Sequence, residues 1–360
     1  MDGENLLNDI RLFSIKNLKN LSTSNVGRFT TNNPLAWRVR WYDVRRYITA
    51  QRVIECNTNS MLLKLAKLNF NIIQAAHQKD LKDVIRWWRN LCIIEDLDFT
   101  RDRIVESFFY AVGIASEPQH GSMRKWLTKV IQLVLIIDDV YDIYGSLDDV
   151  QQFTCAIEKW DPNETKCLPK CMQICFRILR ATMEEICVEI QQQKGGPSTL
   201  PYLKQGWVNF CKALLVEATW HHEGHIPTLK EYLDNGWISS SGSIFSSHVI
   251  YGLTNKINNE TMDLCKNCQD IIYHTSVIIR LCNDQGGARE RFVKQHTVVN
   301  VDFENREQQP TEISLTLRSL VSGSAVNSIV VPLEVTTSFI VVIANTTGCE
   351  VDFETRITVT

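Results

Sequence analysis

The sequence has almost no net charge: 38 lysines and arginines against 41 aspartates and glutamates leave −3 over 360 residues. That balance gives no electrostatic case for nucleic acid or an anionic membrane surface as a partner. A bilayer span is also missing, because the best candidate, Ala325 to Ala344, is interrupted by Asn327, Pro332 and Glu334. Met1-Asp2-Gly3-Glu4 is acidic and no apolar core follows, so neither a secretory leader nor an acid-poor transit peptide is expected, and the chain as given reads as cytoplasmic. The 12 cysteines form no disulfide framework. They are scattered, and Cys167, Cys171 and Cys175 are spaced for one helical face, the pattern of packed thiols. Cys265 and Cys268 make a CxxC that lacks the further ligands zinc needs.

Two tempting motifs fail on spacing. The polar loop Gln191 to Pro197 has no Gly-Lys-Ser/Thr and is no nucleotide cradle. In His221-His222-Glu223-Gly224-His225 the pair His222 and His225 is three apart with glycine between, whereas zinc proteases need histidines four apart.

What is present points to helices. Hydrophobic residues make up 44% of the chain, enough for a large core. Residues 5–21 read as an amphipathic helix, followed by a polar linker, Ser22 to Asn33. From 60 to about 285 the apolar period is helical almost throughout. Leu62 to His77 and Asp80 to Leu91 are expected as an antiparallel pair, and Ile104 to Ser116 as a helix stopped by Pro118. Ser146-Leu147-Asp148-Asp149 reads as a capping box, which makes Asp148 and Asp149 structural. Beyond about Arg291 the period drops to two, with Val299, Val301 and Phe303, then Ile313, Leu315 and Leu317, then Val351, Phe353, Ile357 and Val359. A β-rich segment is expected there.

The stretch that carries chemistry is Ile136-Ile137-Asp138-Asp139-Val140-Tyr141-Asp142. The run Lys129 to Ile137, free of glycine and proline and with Gln132 as its one polar residue after Lys129, reads as a buried helix that delivers carboxylates into a pocket. Asp138 and Asp142 fall on one face, about 5–6 Å apart at helical spacing. A capping role has the wrong sign, since the helix dipole disfavours acids at a C-terminal end. Oxygen ligands without nearby histidine or cysteine favour a hard cation, and magnesium is typically held by one or two carboxylates plus substrate phosphates.

Together with Arg101-Asp102-Arg103 before it and Arg280-Leu281-Cys282-Asn283-Asp284 after it, this stretch resembles a plant class I terpene synthase. Trp37-Arg38-Val39-Arg40-Trp41, His77-Gln78, Trp87-Trp88 and Tyr232-Leu233-Asp234-Asn235 extend the resemblance over residues roughly 30–290. It implies an all-α fold, the class I terpenoid synthase helical catalytic domain, with a short β-rich C-terminal tail. Residues 1–55 would be a remnant of an N-terminal helical domain, 56–290 an incomplete catalytic domain, and 291–360 an unrelated tail. The implied reaction is magnesium-dependent ionisation of geranyl diphosphate to a monoterpene, with manganese as the other metal. Asp138, Asp142 and Asn283 would bind metal and substrate, with Asp139 in support. Arg101, Arg103 and Arg280 would take diphosphate oxygens in a planar fork that lysine cannot reproduce. Tyr110 would line the aromatic wall for the cation.

The implied partner is a prenyl diphosphate, the implied state a monomer, and the implied setting a plastid, although no transit peptide is visible. Ser239 to Ser243 match a helix break that in the family aims carbonyls into the cavity, with a plain loop as the alternative, and His221 to His225 fall where the family has an aromatic, glycine-containing turn that ends a helix. One motif departs from the family: Asn283 is followed by Gly287 and Arg291 where Ser or Thr and then Glu belong. A catalytically impaired or inactive truncated relative is therefore the main alternative. A chain-elongating prenyltransferase, or a protein whose function lies in a tail-borne binding module, is a further one.

Overall fold

The computed structural model describes residues 60–91, 96–97, 99–100, 102–259, 261 and 269–296, Ile48, and two short strands at 351–352 and 356–357. Residues 5–21, Trp37 to Trp41, Arg101, Cys265 to Cys268 and most of the stretch beyond 296 lie outside these.

Helix α1, Ser60–Asn90, is one continuous helix and not the expected antiparallel pair. The junction, Gln78-Lys79, contains good helix formers and no glycine or proline, so nothing breaks the hydrogen-bond ladder there. Helix α2 follows at Ile104–Ile114, then α3 at Gly121–Asp139. A π-turn, Val140–Tyr144, links α3 to α4, Leu147–Lys159. Ser146 accepts from the Asp149 amide while the Asp149 carboxylate receives the Ser146 amide, the reciprocal capping box the spacing predicts. Next come α5, Lys170–Lys194, and α6, Leu200–Glu223. Gly224 ends α6 in the left-handed region, so His221 to His225 is a helix terminus. Helix α7, Leu229–Ser239, opens with a second capping box between Thr228 and Glu231. Helices α8, Gly242–Leu253, and α9, Gln269–His296, complete the bundle.

Helix α3 is the axis: it packs against α1, α2, α5 and α8, and its Trp126, Leu127, Val130, Leu133, Ile136 and Ile137 are almost fully buried. Burying an apolar face of this length on four neighbours, at roughly 25 cal/mol per Å², is what holds the acidic end of α3 in place. Two cations buried on α3 are neutralised by its neighbours. Lys129 reaches Glu185 on α5 at 2.8 Å and sits 5.1 Å over the Trp87 ring of α1. Arg124 pairs with Asp80 of α1 at 2.6 Å.

Cys171 and Cys175 are buried on α5, as expected of packed thiols, but Cys167 is exposed because α5 begins only at Lys170. Helix α9 runs to His296, past Arg291, before the alternating pattern of the tail begins. In that tail Val351–Asp352 pairs antiparallel with Arg356–Ile357, Val351 opposite Ile357.

The packing of α8 carries a pH dependence. His248 is fully buried; its Nδ1 lies 2.8 Å from the Ile244 carbonyl and its Nε2 has no hydrogen-bond partner. Burial pushes its pKa from 6.5 down to about 4, against the smaller opposing effect of the Ile244 bond. Between those values the unfolded chain holds a proton that the fold rejects, so stability falls as pH drops from 6.5 toward 4, by about 3 kcal/mol in all. Unfolding midpoints measured from pH 7 to about 4.5 should therefore fall less steeply in His248→Gln than in the parent. Parallel slopes would remove His248 from the account.

Candidate active site

The acidic end of α3 passes directly into the π-turn, so Asp138 is the penultimate residue of an α-helix and Asp142 belongs to a wider coil. Such π insertions are common at functional sites because they re-aim side chains without breaking the helix. Asp138 is half-buried and Asp142 exposed. Burial, followed by the charges of Asp142, Asp139 and Glu217, pushes the Asp138 carboxyl from 3.8 up to about 7, with Arg280 pulling the other way. Asp142 is also raised, by desolvation first and by Asp139, against the opposing effects of Arg280 and His221. Asp139 is engaged separately, accepting a 2.6 Å hydrogen bond from Thr100 Oγ1.

Facing these acids from α9 is Arg280. Its Nε donates to Tyr232 Oη at 2.7 Å and to Asp284 Oδ1 at 3.0 Å, and Nη2 donates to the same oxygen at 2.8 Å. Tyr232 Oη in turn donates to Asp284 Oδ2 at 2.5 Å. Burial alone would lower the Arg280 pKa, but Asp284 and Glu217 outweigh it and hold the guanidinium firmly charged. Asn283 is exposed on the same helix.

The α7–α8 junction is broken as the Ser-rich run suggests. Helix α7 ends at Ser239, Ser241 takes a left-handed φ of 62°, and α8 starts at Gly242. Two glycines let α9 come close here. A Cβ on Gly236 would sit 3.3 Å from Arg280 Cγ, and one on Gly242 would be driven into the Ser276 side chain. Tyr110, half-buried on α2, meets Phe245 of α8 with ring centroids 6.3 Å apart. Its neighbours divide: Phe108 is core, whereas Phe109 is 42% exposed and not the core residue its type suggests. Arg103, half-buried, immediately precedes α2, and Arg101 lies outside the described residues.

Packing thus brings Asp138, Asp139 and Asp142 together with Arg280, and adds Glu217, Tyr232 and Asp284. Asp284 was legible as an acid four residues after Arg280; Glu217 had no signal in the sequence. Among the described residues no group of three or more His, Cys, Asp or Glu side chains could hold a metal alone. Neighbouring acids of like sign, with Asp138 and Asp142 both raised, still fit a hard cation, provided that phosphate oxygens and water complete its shell.

The sequence matches the terpene synthase family, metal binding domain, over residues 89–312, more than half of the chain. The chain belongs to the terpene synthase family. It is 51% identical over 249 residues to the (E,E)-alpha-farnesene synthase of Malus domestica, covering 69% of this chain and 43% of that protein. Against the chloroplastic myrcene synthase of Quercus ilex it is 39% identical over 295 residues, 79% of this chain and 49% of the relative. Among solved structures it is similar to isoprene synthase from grey poplar leaves in complex with three Mg2+ ions and dimethylallyl-S-thiolodiphosphate, with a TM-score of 0.72 and 37% identity over 82% of this chain and 57% of that one. This terpene synthase chain spans about half the length of the curated relatives it matches. Among its described residues no helix is long and apolar enough to cross a membrane.

Proposed function

We propose that this terpene synthase chain ionises a prenyl diphosphate, with geranyl diphosphate as the substrate tested first. The observation that carries the reading is the placement of Arg280 close enough to both Asp138 and Asp142 to oppose their like-charge repulsion. A half-buried guanidinium near two carboxylates suits an anion that arrives with its own cations. Magnesium, when bound, supplies the charge that stabilises the leaving diphosphate. Asp138 and Asp142 would hold it, with Asn283 contributing from α9 and Asp139 held by Thr100 as support. Arg280 and Arg103, with Arg101, would receive the oxygens of the diphosphate as the bond from its oxygen to the allylic carbon breaks and the electron pair leaves with oxygen. Tyr110 and Phe245 would offer ring faces to the allylic cation. Loss of a proton then gives a hydrocarbon, or capture of water with loss of a proton gives an alcohol.

A fifteen-carbon substrate is a second reading, favoured by the apple farnesene synthase among the relatives. Purified protein incubated with geranyl or farnesyl diphosphate and magnesium or manganese, with diphosphate and volatiles measured, separates the two. No diphosphate release from either substrate would refute the proposal.

Impaired activity is the other specific alternative. Asn283, Gly287 and Arg291 recur every fourth residue along α9 and so share one face. A cation among metal ligands is costly: two like unit charges at 4 Å repel by about 4 kcal/mol at an effective dielectric of 20. Replacing Gly287 with Ser together with Arg291 with Glu is expected to lower the magnesium concentration needed for half-maximal activity by about tenfold or more. An unchanged metal response would place this face outside the site.

A further inference from the structure

Glu217 on α6 touches more of the site than any sequence motif suggests. Its Oε1 accepts from Ser239 Oγ at 2.5 Å and from Asn235 Nδ2 at 3.2 Å, both on α7. Its Oε2 lies 3.9 Å from Arg280 Nη1 on α9. One carboxylate therefore spans three helices, and its contact on α7 is the last residue before the break. Asn235 strengthens the tie by also donating to the Ala213 carbonyl of α6 at 3.0 Å.

The two ends of the Arg280 guanidinium are used differently. Nε and Nη2 are committed to Tyr232 and Asp284. Nη1 faces Glu217 at a distance too long for a hydrogen bond but short enough for strong attraction in a largely enclosed setting. A charge held there orients the guanidinium and leaves the Nη1 donors unspent for an incoming anion.

We propose that Glu217 is a positioning residue: it sets the Arg280 guanidinium beside Asp138 and Asp142 and couples that setting to the α7–α8 break through Ser239. The proposal rests on the diphosphate reading of the same site. What acts on Arg280 is the charge of Glu217, whereas its hydrogen bonds to α7 hold that charge in place. Glu217→Gln separates the two functions, because the amide keeps an oxygen for Ser239 and Asn235 but presents no charge to Nη1.

The test is a double-mutant cycle read by calorimetric binding of inorganic diphosphate with magnesium, with unfolding midpoints as control. Glu217→Gln is expected to keep the parent's unfolding midpoint within a few degrees and to weaken diphosphate binding about tenfold. In an Arg280→Ala background the same substitution should weaken it less than about twofold, since the partner it acts through is gone. Equal losses in both backgrounds, no loss in either, or no diphosphate binding by the parent overturns the proposal. Should Glu217→Gln fail to fold, Ser239→Ala loosens the same carboxylate and is read against the same outcomes. Turnover is scored separately. Diphosphate binding that follows the cycle without release of diphosphate from geranyl or farnesyl diphosphate would defeat the proposed reaction and leave the positioning role standing.

Discussion

Asp138→Ala is expected to abolish turnover of prenyl diphosphate, a fall of about a thousandfold or more, because stabilisation of the leaving group in a largely enclosed site is the dominant rate term. Alanine removes the proposed metal ligand at the point where the buried end of α3 meets the π-turn. Asp142 is exposed and Asp139 is already hydrogen-bonded to Thr100. Asp138→Asn sharpens the test, since it keeps the shape and removes only the charge. Burial and the neighbouring acids raise the Asp138 carboxyl from 3.8 to about 7. A carboxyl whose folded pKa lies above its unfolded value costs stability as pH rises through that interval. In metal-free protein at pH about 8, above that interval, the asparagine variant should therefore unfold at a higher temperature than the parent while being inactive. Magnesium with diphosphate should raise the parent's midpoint and leave the variant's unchanged. An alanine variant that retained the parent's magnesium dependence would refute the assignment.

The largest expected loss of stability lies away from the site, at Arg124. This side chain is fully buried, with Nε and Nη2 donating to Asp80 Oδ2 at 3.1 and 2.6 Å. Its Nη1 donates to the Ala115 carbonyl and, at 3.1 Å, to that of Glu117. His77 Nε2 lies 2.8 Å from the Ser116 carbonyl between them. Three successive carbonyls beyond α2 thus receive side-chain donors from α3 and α1 where the chain turns, and that of Glu117 also receives the His120 amide at 3.1 Å. Arg124→Leu strands the Asp80 carboxylate and removes the side-chain donor of the Ala115 carbonyl, and should cost about 3–5 kcal/mol in chemical denaturation. Asp80→Leu should cost a similar amount, since it strands the guanidinium. Replacing both should recover part of the loss, because neither charge is then left alone. A single-variant cost below about 1 kcal/mol would mean that the pair is compensated by something else.

Much of this protein was determined locally. The helical period from residue 60 onward, the capping box at Ser146, the turn at Gly224 and the acidic end of α3 each follow from side chains within a few turns of one another. The family resemblance rested on the same local strings, and the family match over residues 89–312 bears it out. Local reading failed where two outcomes share one local pattern. Residues 62–91 suit a hairpin of helices or one long helix, and only the unbroken ladder at Gln78-Lys79 makes them one. Phe109 is as apolar as Phe108 but stays 42% exposed, which the direction of packing decides. Tertiary structure alone decided the electrical environment of the acids. Burial and Glu217 of α6 raise Asp138 while Arg280 of α9 opposes them, and Glu217 and Ser239 become partners although they stand on different helices. Spacing in a sequence specifies which side chains share a helix face. Which faces meet, and how much water is left between them, depends on the packing of all the helices at once, and desolvation and charge pairing follow only from that.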